Sequence, residues 1–276
     1  MLKKIKRKIT FVYKLVILGA DVSSKLILIR EYLYLMRTLY FGGKNKPFSC
    51  RIKTNGKSTR VFFTGTLNEM HALIDIFLEK NYELKFNHTQ TLFSNNIKTL
   101  LDLGANIGLT SIWFAMKYPG ITIDAYEPNP QIFDFLKKNL ASIPGTRVFK
   151  KAVTGINGTM EFNQSENSFH SSVFAVENGH KISVESIDLD TAIAKIGGKV
   201  DVLKLDIEGA EFKALENSKQ LVDIRTIIGE AHTAQSGNKE EDLKKLLSSF
   251  LTFKIYNPNK ANIFGFYAAR TTPTEA

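Results

Sequence analysis

Cysteine is nearly absent: Cys50 is the single one in 276 residues. An internal disulfide is excluded, no thiolate cluster can hold a metal, and the usage fits a reducing compartment. Long apolar runs are also missing. No stretch of roughly 18 uncharged apolar residues occurs, which argues against a spanning helix. The opening MLKKIKRK followed by ITFVYKLVILGA has the basic and apolar regions of a signal peptide, but Lys14 interrupts the apolar part and no A-x-A site follows. Acids are scarce at the start. Residues 1–60 carry 15 Lys+Arg against Asp21 and Glu31, a net of +13, while residues 61–276 carry 22 against 25, a net of −3, summing to +10. The basic balance therefore belongs to the N-terminal segment. The near-neutral remainder argues against a nucleic-acid-binding catalytic part. No internal repeat or low-complexity tract is present.

An apolar fraction of 43% and a charged fraction of 23% are those of a globular protein able to bury a core. VSSKLILIREYLYLMRTLYF, 22–41, reads as a helix, ended by Gly42, Gly43 and Pro47. SCRIKTNGKSTRVFFTG alternates around Asn55-Gly56 and reads as a hairpin. Residues 67–80 have apolar positions at helical spacing, and 87–96 read as a loop. From residue 98, strand-like and helix-like segments alternate: KTLLDLG and LTSIWFAMKY, ITIDAYE and PQIFDFLKKNL, TRVFKKAV, VDVLKLDI and EGAEFKALEN, IRTIIGE and EEDLKKLLSSF, then LTFKIYN and NIFGFYAA. The expected fold is α/β, a doubly wound Rossmann-like sheet, mostly parallel, with helices on both faces and an antiparallel last strand. GTMEFNQ and HKISVES read as hairpins laid over that sheet. Three parts are expected: a basic helical and hairpin extension at 1–60, a helix and loop at 61–97, and the main domain at 98–276.

LLDLGANIGLTSIWFA places Gly104, Ala105, Asn106 and Gly108 in a turn between a strand and a helix, and Glu127 of AYEPNP ends the next strand, followed by Pro128. Glycines let a backbone approach a ligand closely, and an acid at the tip of the second strand can accept both hydroxyls of a ribose. A dinucleotide site would carry G-x-G-x-x-G. Here Asn106 takes the middle position and Asp102 precedes the turn, an acid suited to an ammonium group. S-adenosylmethionine offers ribose, ammonium and carboxylate without phosphate. The competing nicotinamide oxidoreductase fits this turn less well.

VDVLKLDIEGAEF sets Leu203, Leu205 and Ile207 on one face of a strand and Lys204, Asp206 and Glu208 on the other. At the carboxyl end of a central strand such charges stand where ligands bind, and Lys204 should pair with a carboxylate. The plain alternative is that Asp206 or Glu208 caps the following helix. GEAHT adds Glu230 and His232, two apart at the next strand tip. With Asp206 these groups could bind a divalent metal, although the spacing is not diagnostic and a metal-free site serves equally well. Asp206, Glu208 and His232 are the candidate bases, Asp206 first, with Glu230 and Lys204 beside them. A non-catalytic scaffold that keeps a cofactor pocket would not need these charges.

LDLGANIGLTSIWFA, YEPNP, KLDIEGAEF and GEAH together resemble the FkbM family of methyltransferases over about residues 98–270. The resemblance implies a class I S-adenosylmethionine-dependent fold and O-methyl transfer to a hydroxyl of a sugar, glycan or similar metabolite. In such folds the loop after the third strand borders adenine, which points to Ala152 and Val153; the acid often found there is absent. The resemblance does not reach residues 1–60. That basic, apolar, Tyr-rich segment either lies on an anionic membrane surface through residues 1–41 or packs on the catalytic part or a partner subunit. A cytoplasmic protein, peripheral on the inner face of the membrane, is the matching expectation.

Overall fold

The computed structural model describes residues 2–79, 85–86, 90–91, 96–165, 171–172, 179–233, 237–256, 263–270 and 274–275. Helices α1 (Leu2–Leu18) and α2 (Val22–Phe41) come first, then strands β1 (Phe48–Thr54) and β2 (Lys57–Phe63) and helix α3 (Leu67–Phe77). Asp21 caps α2 by accepting from the Ser24 amide at 2.7 Å, and Gly42 ends it. Asn55 and Gly56, both at positive φ, make the tight hairpin turn between β1 and β2. Thr66 and Glu69 form a reciprocal capping box at the start of α3. Two-residue strands β3 (Lys85–Phe86) and β4 (Gln90–Thr91) follow; the rest of the loop expected at 87–96 lies largely outside the described residues.

The expected alternation then appears: β5 (Thr99–Leu103), α4 (Leu109–Lys117), β6 (Thr122–Tyr126), α5 (Pro130–Leu140) and β7 (Thr146–Phe149). TRVFKKAV, expected as one strand, is two. β7 joins the main sheet, whereas β8 (Ala152–Thr154) turns away to pair with a second sheet. That sheet contains β9 (Gly158–Ser165), β10 (Ser171–Ser172) and β11 (Gly179–Asp188), with β9 and β11 antiparallel as the hairpin reading requires. Helix α6 (Leu189–Ile196) is not announced by the sequence pattern; Asp188 caps its start and Gly197, at φ 114°, its end. The chain continues through β12 (Val200–Leu205), α7 (Glu211–Glu216), β13 (Ile224–His232), α8 (Glu240–Leu246), β14 (Thr252–Tyr256), β15 (Ile263–Ala269) and β16 (Thr274–Glu275).

Among the described residues the central sheet has the order β14-β15-β13-β12-β5-β6-β7. β13, β12, β5, β6 and β7 run parallel, and β15 is antiparallel to both its neighbours. This is the mostly parallel, doubly wound sheet with an antiparallel strand near one edge that the alternation predicts. β5 is the first strand of the parallel set and has β6 on one side and β12 on the other, so the chain reverses its direction of winding there. Ligands bind beyond strand tips at such a switch point.

Strand alternation splits the core. Leu100 and Val202 face one side with Ile112, Trp113 and Leu136, while Leu101, Leu103, Leu203 and Leu205 face the other with Ile193, Phe212 and Leu243. The first core also contains Leu15, Leu28, Leu35, Val61 and Met70. The N-terminal helices and hairpin therefore pack on the catalytic part, as one of the two readings of this segment held. The expected boundary at residue 60 falls inside β2. Asn139 of α5 fastens that hairpin: its side chain accepts from the Phe62 amide at 2.8 Å and donates to the carbonyls of Phe62 (2.9 Å) and Ile107 (2.7 Å).

Candidate active site

The turn after β5 is shaped by three left-handed residues: Gly104 at φ 74°, Asn106 at 52° and Gly108 at 89°. Gly108 opens α4, and a side chain there would press on Leu136 of α5. The amides of Gly104 and Ala105 both donate to the Tyr126 carbonyl, at 3.0 and 2.8 Å. Glu127 completes the link between the two strand tips. Its Oε2 accepts from the Asn106 amide at 3.0 Å and its Oε1 from the Asn129 amide at 2.9 Å. Each oxygen keeps a second lone pair. Burial pushes the Glu127 carboxyl up to about 7, against the opposing pull of those two amides.

Lys204 lies beside Asp102 in register on neighbouring strands. Its ammonium donates to the Gly104 carbonyl at 2.6 Å and stands 3.4 Å from Asp206 and 3.6 Å from Asp102. The expected pairing is present, with two acids rather than one. Asp102 departs from expectation. It is fully buried, accepts from the Ser111 hydroxyl at 2.6 Å, and is absent from the cavity wall. Its side chain points to the α4 face of β5, with Lys204 held against it, so Asp102 is not placed to meet a ligand ammonium.

The segment after β12 is held from below by Glu211, a residue not singled out in the sequence. Fully buried, it accepts from the amides of Ile207 and Gly209, both at 3.1 Å, and its Oε1 lies 3.0 Å from His232 Nδ1. Helix α7 starts at Ala210 without a side-chain cap, so neither Asp206 nor Glu208 serves as its N-cap. Glu208 sits in the left-handed region at φ 54°, a conformation costing about 1 kcal/mol or more for such a residue. It lies 3.4 Å from His232 Nε2. Burial, then the like charges of Asp206, Glu211 and Glu230, lift the Glu208 carboxyl to about 7, while His232 pulls it down. For His232 burial acts downward, but the bond to Glu211 and the charges of Glu211, Glu208 and Asp206 outweigh it and raise the imidazole to about 9. Glu230 acts on this group through its charge on Glu208 and does not line the cavity.

These elements enclose a cavity of about 450 Å³. Gly104, Ala105, Asn106, Glu127 and Pro128 form one wall, Ala152 and Val153 an apolar corner, and Lys204, Asp206 and Glu208 the floor. The facing wall was not foreseen: Leu35, Thr38 and Asn45 come from the N-terminal segment, and Thr66, Asn68 and Ile76 from α3 and its cap. Glu69 sets that wall, accepting from the amides of Thr64, Gly65 and Thr66 at 3.0–3.1 Å and from the Thr64 hydroxyl at 2.6 Å.

The family described as "Methyltransferase FkbM domain" matches residues 102–256. "Methyltransferase sdnD" of Sordaria araneosa is 28% identical over 152 residues, covering 42% of this chain and 59% of that protein. "Hexuronic acid methyltransferase AglP" of Haloferax volcanii is 31% identical over 160 residues, covering 54% of this chain and 61% of that protein. The chain thus spans about three-fifths of the length of these curated relatives. Among solved structures, a fibrillarin/Nop5p complex aligns with a TM-score of 0.42 at 16% identity, covering 72% of this chain and 81% of that one.

Proposed function

The chain belongs to the FkbM methyltransferase family, and from that premise we propose that it methylates a hydroxyl of a sugar, glycan or related small metabolite, with S-adenosylmethionine as donor. Family membership sets aside the nicotinamide oxidoreductase. The observation that carries the cofactor reading is the arrangement of Glu127: a nearly buried carboxylate on the cavity wall, tied to the glycine turn through Asn106. Its second lone pairs suit two ribose hydroxyls, Ala152 and Val153 offer an apolar surface for adenine, and Asp206 suits an ammonium. The residues present therefore fit the cofactor, which would supply a methyl group on a sulfonium.

The chain's own task is to orient an acceptor hydroxyl and take up its proton. Asp206 and Glu208 face the cavity, and His232, fixed by Glu211, stands behind Glu208. A hydroxyl entering from the side of Thr38, Asn45 and Asn68 would meet these carboxylates. The name of the Haloferax relative supports a sugar acid as acceptor class. Transfer of radiolabelled methyl to a panel of hexuronic acids, neutral sugars and lipid-linked glycans tests this. Labelled product should form with wild type and fall at least about a hundredfold in Glu208→Gln, with S-adenosylhomocysteine binding retained. Transfer unchanged in that variant contradicts the assignment.

The outward face of the N-terminal helices supports a membrane-surface partner. Ile9, Tyr13, Val22, Leu26, Leu33 and Tyr40 are 58–73% exposed, among the exposed basic residues Lys6, Lys8, Arg30 and Arg37. Apolar side chains ringed by cations suit an anionic bilayer surface. No helix of the described residues is long and apolar enough to cross a membrane. The same α2 presents Leu35 and Thr38 to the cavity, which would bring a lipid-linked acceptor to the site. Flotation with phosphatidylserine liposomes should recover wild type and lose Leu26→Glu/Leu33→Glu; equal recovery of both removes the idea.

A further inference from the structure

We propose that Asp206, Glu208 and His232 hold a divalent cation at the floor of the cavity. The three come from two neighbouring strand tips, and one ligand atom from each lies within 4.8 Å of the others. Two oxygens and one imidazole nitrogen suit a transition-metal cation such as Mn²⁺, Fe²⁺ or Zn²⁺.

The surroundings of His232 carry the argument beyond proximity. Glu211 is fully buried and its carboxylate is already fixed by the Ile207 and Gly209 amides. An ionised carboxylate only accepts, so Nδ1 donates to it and Nε2 faces Glu208 at 3.4 Å. A histidine that ligates a metal is characteristically oriented in this way, by a carboxylate on its other nitrogen. The charge balance points to the same ligand. Asp206, Glu211 and Glu230 crowd Glu208 with like charge, while the neighbouring lysine, Lys204, is shared between Asp206 and the buried Asp102. A cation here would neutralise that excess. Asp206 and Glu208 line the cavity, so its remaining coordination positions would open toward the acceptor, where it would orient a hydroxyl and lower its pKa. This role rests on the methyltransferase reading; the binding itself does not.

The test is titration of the full chain with Mn²⁺, read by the electron paramagnetic resonance of the unbound ion, with S-adenosylhomocysteine binding measured in parallel. Wild type should bind one Mn²⁺, displaced by Zn²⁺. Glu208→Gln and His232→Ala should each bind at least about tenfold more weakly, with circular dichroism unchanged. If His232→Ala does not fold, Glu208→Gln decides. No Mn²⁺ binding by wild type at millimolar ion, or equal binding by the folded variants, overturns the proposal and leaves a protonated His232 as the counter-charge. Loss of nucleoside binding in wild type alongside intact Mn²⁺ binding would instead overturn the cofactor reading.

Discussion

Gly104 presses on the backbone of Asp206: a methyl group at its Cβ position would lie 1.8 Å from the Asp206 carbonyl oxygen. The two residues end adjacent parallel strands, β5 and β12, and their contact sets the width of the cavity floor. Gly104 also stands at φ 74°, so alanine there adds backbone strain to the collision. Gly104→Ala should cost roughly 3 kcal/mol and weaken S-adenosylhomocysteine binding. Chemical unfolding and calorimetry check this; a variant with wild-type midpoint and affinity would show that the strand tips part easily.

Lys204 is the counter-charge for a carboxylate with no access to water. It is 4% exposed and Asp102 is fully buried. Lys204→Met leaves Asp102 stranded, and breaking a buried pair from one side costs about 3 kcal/mol or more. Adding Asp102→Asn should recover much of that loss, because the stranded charge is removed. A double-mutant cycle in urea measures the coupling. Additive losses would mean that the two side chains act independently.

Legibility in the sequence followed locality. The glycine turn, Glu127 at its strand tip, the alternation of Lys204 and Asp206 with Leu203 and Leu205, and the Asn55-Gly56 hairpin are all set by neighbours within a few residues, and each stands where pattern put it. Helix α6 escaped because its eight residues, following directly on β11, fall between the hairpin piece HKISVES and the strand VDVLKLDI and have too short an apolar pattern to stand out. The split of 146–154 escaped because Lys150 and Lys151 lie between two apolar pieces that serve different sheets. Asp102 was misplaced for a subtler reason: period two fixes its side, but only the packing of Ser111 and Lys204 shows that this side is closed. Glu211 and the wall formed by Leu35, Thr38 and Asn45 depend on contacts between segments far apart in the chain, which no local pattern encodes.

Glu127 gives the site a pH signature. Its folded value of about 7 lies above the ordinary 4.5, so the folded chain holds this proton more tightly than the unfolded one. Its contribution therefore falls as pH rises from about 4.5 to about 7, and is level outside that window. Ligand binding has the opposite sign. Ribose hydroxyls donate to the ionised carboxylate, so affinity for S-adenosylhomocysteine should rise with pH below about 7, by at most about tenfold per unit, and flatten above. Calorimetry from pH 5.5 to 8.5 checks this, with Glu127→Gln as the flat control; a slope kept in that variant assigns the effect elsewhere.

Asn139 joins the hairpin to the glycine turn through Phe62 and Ile107. Asn139→Leu removes three hydrogen bonds and leaves buried backbone groups without their side-chain partner, a loss of about 3 kcal/mol. Because Ile107 lies inside the turn, cofactor affinity should fall along with the melting temperature. A drop in melting temperature with unchanged affinity would show that the hairpin supports the fold alone.

The central claim is met most directly by a crystal structure with S-adenosylhomocysteine. The account predicts the nucleoside across the turn of Gly104 to Gly108, its ribose hydroxyls within hydrogen-bond distance of Glu127 and its adenine against Ala152 and Val153. A nucleoside bound elsewhere, or a Glu127 that touches only Asn106 and Asn129 with the ligand present, would contradict it.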